Sequence, residues 1–256
     1  MSAKKETLGK TVGVVLAVCL VCSIIVSGAA VGLRSLQNDN AALDKMSNIL
    51  TAAGLADQAA GDIAGTYDKL VEEKFVDLAT GEYVANPNEG MTKPYNMYGK
   101  VSKAKDTSTK VEGNVGFSRR ANIANIYHIK DASGEVSRVI LPIHGSGLWD
   151  LMYGFLALDA DGNTIRELIY YQHKETPGLG GEVQNPAWQA LWNGKKLFNN
   201  GEVAIQVKKQ AGTQNPYAVD ALSGATLTSN GVQNTLSYWL GDNGFGPYLQ
   251  RQSWKS

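Results

Sequence analysis

Two loops carry the residue types that chemistry needs. The first reads His173-Lys174-Glu175-Thr176-Pro177-Gly178-Leu179-Gly180-Gly181. Pro177 fixes its own φ, and the three glycines permit backbone shapes closed to other residues. Main-chain N–H groups of such a loop can come close to a ligand. The second reads Asp220-Ala221-Leu222-Ser223-Gly224-Ala225-Thr226-Leu227-Thr228-Ser229. It is rich in hydroxyls and precedes a helical pattern, where unpaired N–H groups favour an anion such as a phosphate. Each has a plainer account: the first as an unusual strand-to-helix turn, the second as helix capping by Ser or Thr. His128, His144 and His173 are scattered rather than set at metal-ligand spacing, which favours structural or surface roles. His173 stands at the start of the first loop.

The elements around these loops follow from periodicity. Apolar residues recur at helical spacing from residue 35 to about 76, with a break expected at Gly54 and Gly61. Residues 84–120 are polar, carry Gly, Pro and several lysines, and read as a solvated loop or extended excursion. From Val136 short apolar runs take over, at 139–141, 152–158 and 165–171, with Asp159-Ala160-Asp161-Gly162-Asn163 as a hairpin turn. Residues 186–192 read as a short helix stopped by Asn193-Gly194, 203–207 as a strand and 228–240 as a helix. Strands paired by hairpins and flanked by helices give an α+β fold.

Residues 11–33 contain no charged side chain. As a helix they reach about 35 Å, enough for a hydrocarbon core of about 30 Å. Lys4, Lys5 and Lys10 precede this run, and Arg34 follows it with Asp39, Asp44 and Lys45. The lysine bias points to a single span with a cytoplasmic N-terminus and the bulk of the chain outside. A cleaved signal peptide is the rival, with small residues at Ser27-Gly28-Ala29 and a mature start at Ala30. The expected divisions are residues 1–10 cytoplasmic, 11–33 transmembrane, 34–135 helical and irregular, and 136–256 the ligand-binding domain. Both cysteines, Cys19 and Cys22, lie in the apolar run. They read either as small apolar residues on one helix face or as half of an iron or iron–sulfur site shared with another subunit. No thiol remains to form a disulfide in the rest. Lys+Arg and Asp+Glu balance at 24 each, which gives no electrostatic reason to expect nucleic-acid binding.

With these motifs in hand, a resemblance follows. Asp220-x-x-Ser223-Gly224-Ala225-Thr226 resembles the acceptor motif of bacterial flavin transferases, and Glu175-Thr176-Pro177-Gly178-Leu179-Gly180 resembles the second hallmark of the covalent FMN-binding domain family. That family includes the C subunits of sodium-translocating NADH:quinone reductases and the shorter G subunits of ferredoxin:NAD oxidoreductase complexes. The resemblance implies FMN joined by a phosphoester to Thr226, with Asp220 read by the transferase during maturation. It implies cofactor contacts from Glu175, Thr176, Gly178, Leu179, Gly180, Ser223, Gly224, Ala225, Leu227 and Thr228, with Trp149 a candidate wall of the pocket. No catalytic residue and no metal ligand is implied beyond the cysteine alternative.

What the resemblance implies about function is an electron carrier in a bacterial inner-membrane complex that couples NADH oxidation by ubiquinone to sodium export. The soluble domain would be periplasmic, with the other subunits, a flavin transferase and membrane lipid as partners. Within the family the alternative is the G subunit of the ferredoxin:NAD complex, and two other classes compete. One is a stand-alone extracytoplasmic flavoprotein reductase; the other is a binding module in which Ser223-Gly224-Ala225-Thr226 occurs by accident.

Overall fold

The computed structural model describes residues 7–91, 93–212 and 214–255. Lys4 and Lys5 of the basic flank lie outside the described residues. The chain divides between Lys45 and Met46 into a short N-terminal unit and a larger one.

The N-terminal unit holds helix α1 (Leu8–Gly32), 25 residues with Lys10 as its one charge. At 1.5 Å per residue it spans about 37 Å, long enough for a bilayer core of about 30 Å. Apart from Lys10, Thr11, Ser23 and Ser27 its residues are apolar, and none is buried. Water does not solvate such a surface well, whereas lipid does. Helix α2 (Arg34–Ala52) starts in this unit, and its last turn buries Ile49, Leu50 and Ala52 in the larger one.

In the larger unit the expected break is present: residues 53–62 turn, with Gly54 and Gly61 at positive φ. Asp62 then caps helix α3 (Ile63–Leu70) by accepting from the Gly65 N–H at 2.9 Å. The helical reading ends there, because residues 71–76 belong to a strand. The strands are β1 (Val71–Asp77), β2 (Tyr83–Val84), β3 (Ser108–Lys110), β4 (Arg119–Ala121), β5 (Ile123–Lys130), β6 (Val136–Ser146), β7 (Leu151–Asp159) and β8 (Ile165–Gln172). Six of them form one antiparallel sheet in the order β2-β1-β5-β6-β7-β8. Helix α4 (Pro186–Gln189) follows, then the two-residue strands β9 (Phe198–Asn199) and β10 (Glu202–Val203). A parallel pair, β11 (Gln206–Lys208) and β12 (Ala218–Asp220), precedes helices α5 (Thr226–Leu240) and α6 (Gly246–Arg251).

The pleat sends alternate side chains to opposite faces. Ile126, Val139, Leu141, Ile143, Leu156 and Leu158 pack with Val232, Leu236, Trp239 and Leu240 of α5. Tyr127, Ile129, Ile140, Phe155 and Ala157 pack with Ile49, Ala52 and Ala53 on the other face. Covering both faces is why the central strands read as unbroken apolar runs rather than alternating ones.

Residues 84–120 are mostly irregular, with a 3-10 turn at Lys100–Ser102 and the small β3–β4 hairpin. The stretch is tied to the sheet: Ser146 donates its N–H to the Val115 carbonyl at 2.9 Å. Residues 203–207, read as one strand, are split between β10 and β11.

Candidate functional site

Strand β6 ends at Ser146 and turns back into β7 through Gly147-Leu148-Trp149-Asp150, closed by the Gly147 N–H on the Asp150 carbonyl at 2.8 Å. The tip leaves Leu148 49% and Trp149 66% exposed. Strand β8 pairs with β7 and delivers the 173–181 loop beside this tip. Two bonds between side chains tie tip and loop together at the surface: Lys174 pairs with Asp150, and Trp149 Nε1 donates to Thr176 Oγ1 at 3.2 Å. The hydrogen bond from Lys174 holds the exposed Asp150 carboxyl below the usual carboxylate range.

Glu175 turns the opposite way from its neighbours and is buried. Its Oε1 accepts the Trp149 N–H at 3.0 Å, and its Oε2 accepts the Thr228 hydroxyl at 2.5 Å. One carboxylate thus joins the hairpin tip, the Gly-rich loop and the first turn of α5. Space around it is tight. A Cβ on Gly147 or on Gly180 would lie 2.5 Å from one of the Glu175 oxygens, so both positions are held to glycine by the buried carboxylate. Gly178 has φ +75 and shapes the turn in which Leu179 and Gly181 N–H groups meet the Thr176 carbonyl.

The hydroxyl-rich loop runs from β12 to α5. Its start is fixed by Trp188 Nε1 on the Asp220 carbonyl at 2.9 Å and by the Ala211 N–H on Asp220 Oδ1 at 2.7 Å. Ser229 folds the turn from inside the helix: its hydroxyl accepts the Leu222 N–H and donates to the Ala225 carbonyl, both at 3.0 Å. Gly224 has φ +70, and a Cβ there would lie 3.3 Å from Leu179 Cδ2, so the two loops abut.

The N-cap of α5 is Ala225, which offers no side-chain cap. Alanine is a poor residue there, costing about 1 kcal/mol against Ser, Thr, Asn or Asp. Neither Ser223 nor Thr226 makes a capping bond, and Thr228 gives its hydroxyl to Glu175 instead. The capping account of this hydroxyl-rich turn therefore does not hold. The first-turn N–H groups, unpaired by the geometry of any helix, stay open to an anion. Thr226 is exposed at that start, beside exposed Ser223, Gly224 and Leu227. Leu148, Trp149, Leu179 and Leu227 are all large, apolar and at least 46% exposed. An oxygen nucleophile, an anion seat and apolar surface fit a phosphate-bearing group with a flat ring.

Of the residues expected to meet a cofactor, Trp149, Thr176, Gly178, Leu179, Ser223, Gly224, Thr226 and Leu227 lie on the exposed rim. Glu175, Gly180, Ala225 and Thr228 lie beneath it. Asp220 stands at the end of β12 with one oxygen committed to the backbone. No local pattern marks Ser229 as a clamp. Gly231 was detectable as a glycine inside a helical pattern: a Cβ there would lie 2.1 Å from the Ser146 carbonyl, so it lets α5 press onto the end of β6.

Next to Thr226 an open groove of about 390 Å³ runs between α5 and the hairpin tip. Two of the histidines, His128 and His144, are buried in the packing. His128 Nε2 meets the Tyr248 hydroxyl at 2.8 Å, and burial pushes its pKa down to about 4. His144 stacks between Phe117 and Tyr153, and burial pushes it down to about 3. His173 accepts the Glu175 N–H on Nδ1 at 3.1 Å. Cys19 and Cys22 are free thiols exposed on α1. Among the described residues no three His, Cys, Asp or Glu side chains cluster as metal ligands.

The family model described as FMN-binding domain matches residues 147–241, a stretch that holds the hairpin tip and both loops. The C subunit of the Na(+)-translocating NADH-quinone reductase of Yersinia pestis is 45% identical over 250 residues, covering 96% of this chain and 93% of the relative. Its counterpart in Vibrio parahaemolyticus is 48% identical, covering 98% of this chain and 97% of the relative. The crystal structure of Shewanella oneidensis NqrC matches with a TM-score of 0.72 at 31% identity, covering 80% of this chain and 94% of that one. The corresponding crystal structure from Parabacteroides distasonis matches with a TM-score of 0.66 at 26% identity, covering 85% and 96%. Across sequence, fold and site, the chain belongs to the NqrC family, the C subunits of Na(+)-translocating NADH-quinone reductases.

Proposed function

We propose that this chain is the redox subunit of a membrane-bound, sodium-pumping NADH:quinone reductase and carries FMN as a phosphoester on Thr226. The observation that carries the reading is the exposed Thr226 hydroxyl at the uncapped start of α5, with the Glu175–Thr228 bond locking the Gly-rich loop beneath it. In the attachment step Thr226 Oγ1 forms a bond to the FMN phosphorus of a pyrophosphate-activated flavin donor as the P–O bond to the donor's other half breaks; that half leaves as a phosphate monoester, the hydroxyl proton passes to a base, and a flavin transferase supplies the activation that an unaided hydroxyl lacks. The resulting diester keeps one negative charge, which the start of α5 favours.

When bound, the flavin supplies the electron-accepting and electron-donating chemistry; the protein holds and tunes it. Thr176 and Leu179 form the seat for its ring, with Trp149 as a wall fixed in place by the Thr176 hydroxyl. Ser223 and Leu227 border the attachment point. Glu175 and Thr228, both buried, support this seat from below rather than forming its surface. Asp220 is read by the transferase.

Helix α1 anchors the protein in the bacterial inner membrane, covered by lipid. The lysines before it and the lone Arg34 just after it favour a cytoplasmic N-terminus and a periplasmic larger unit. Electrons pass between this protein and other subunits of the complex. With no acidic or basic side chain from residue 11 to residue 33, the span has no charge with which to line a sodium path.

The test is the intact mass of the full chain co-expressed with a flavin transferase. The expected result is an increase of one FMN less one water, and a fluorescent band on a denaturing gel. Both vanish in Thr226→Ala. A flavin band that survives this substitution would move the attachment elsewhere, and a chain that purifies alone and reduces a soluble acceptor would defeat the reading as part of a complex.

A further inference from the structure

The groove beside Thr226 is a second feature of the site that the motifs do not include. It is lined by Asn114, Ser146, Leu148, Leu227, Asn230 and Asn234, together with Gly147, Gly231 and Gln233. None of these carries a charge. Its volume of about 390 Å³ lies within the range of small-molecule sites, roughly 300–1,000 Å³. Three segments make it: the 113–117 stretch, the β6–β7 tip and the first turns of α5. Glycines allow them to converge, since a Cβ on Gly116 would lie 2.4 Å from Ser146 Cβ, and one on Gly231 2.1 Å from the Ser146 carbonyl.

The amides in the groove differ in what they do. Gln233 is committed: its Oε1 accepts the Val207 N–H at 2.6 Å and its Nε2 donates to Ser237. Asn114, Asn230 and Asn234 make no side-chain hydrogen bond to another described residue. Asn230 stands one helical turn beyond Thr226, so the two share a face of α5. Leu227 and Leu148 border the same space and are 60% and 49% exposed. A neutral ligand edge that alternates donors and acceptors suits asparagine amides, each of which offers both. A ring attached to that edge suits the two leucines.

We infer that this groove takes the pyrimidine edge of the flavin, held by Asn114 and Asn230, while Leu179 and Trp149 are left to its apolar end. The inference rests on the attachment at Thr226. It also gives a role to the 84–120 stretch, which brings Asn114 to the site.

The test uses the full chain in detergent, loaded by a co-expressed flavin transferase, with Asn114→Leu combined with Asn230→Leu. Intact mass is measured first. The expected result is full loading and unchanged far-ultraviolet circular dichroism, with the visible dichroism of the flavin reduced by half or more and its fluorescence at least doubled. Full loading with dichroism and fluorescence equal to the parent's would overturn the groove assignment. Absence of the mass increase in the parent would instead defeat the attachment reading. If the double variant misfolds, Asn230→Asp alone decides. It places a negative charge at an exposed position, and the flavin midpoint potential becomes more negative at low ionic strength. An unchanged potential overturns the inference.

Discussion

Thr228 Oγ1 donates to Glu175 Oε2 at 2.5 Å, joining residues 53 positions apart in the chain. The other Glu175 oxygen holds the Trp149 N–H. Removing the carboxylate leaves two buried or half-buried donors without acceptors, each costing about 1–3 kcal/mol. Glu175→Ala is expected to lose about 2–4 kcal/mol in urea unfolding of the detergent-solubilised chain. Thr226→Ala, at an exposed side chain, is expected to stay within about 0.5 kcal/mol of the parent. Equal losses in the two variants would show that Glu175 is not the support described.

Ser229 closes the turn before α5 by bonding both Leu222 and Ala225. Ser229→Ala is expected to cost about 1–3 kcal/mol. The Leu222 amide, protected by this bond, should exchange with deuterium at least tenfold faster. Unchanged exchange at residue 222 would contradict the clamp.

Gly231 lets α5 lie against the Ser146 carbonyl. Gly231→Ala pushes backbone against backbone, so the usual gain of replacing a helical glycine, about 1 kcal/mol, is outweighed by overpacking of about 1–3 kcal/mol or more. A net fall in the urea midpoint is the expected sign; a rise would mean that helix and strand can separate freely.

Acid tests the buried imidazoles. His128 and His144 have folded pKa values pushed down to about 4 and about 3 by burial, against an ordinary 6.5. Below about pH 6.5 the unfolded chain binds protons that the folded chain refuses, so stability falls as pH drops and is flat above that point. The slope is at most about 1.4 kcal/mol per pH unit for each histidine. His144 Nδ1 has no partner among the described residues, so His144→Phe keeps the ring stack and removes the titration. The variant is expected to lose part of the fall between pH 6.5 and 5 in urea melts; an identical profile would exclude His144 as its source.

Much of the site was legible because its residues are chemically unusual. Pro177 with Gly178, Gly180 and Gly181 announces a shaped loop, and Ser223-Gly224-Ala225-Thr226 announces a special turn. The uncharged run of α1 was equally plain. Less plain was β1, whose Val71 and Phe75 are four apart and so fit helical spacing, while only Phe75 and Val76 are buried. Strand β5 is buried almost throughout and shows no alternation to read. The inward turn of Glu175 left no trace, because a glutamate is ordinarily on the surface. The part that Asn114 plays depends on a contact between Gly116 and Ser146, thirty residues apart, which no local pattern encodes.

Beginning α5 at an alanine leaves the fold slightly unfinished. An anion fixed at that point would complete the helix, adding about 0.3–1 kcal/mol through its charge. With FMN attached as proposed, maturation would carry its own thermodynamic stamp: loaded chains would melt later than empty ones. On a marginally stable molecule a gain of that size would read as a small rise in melting temperature.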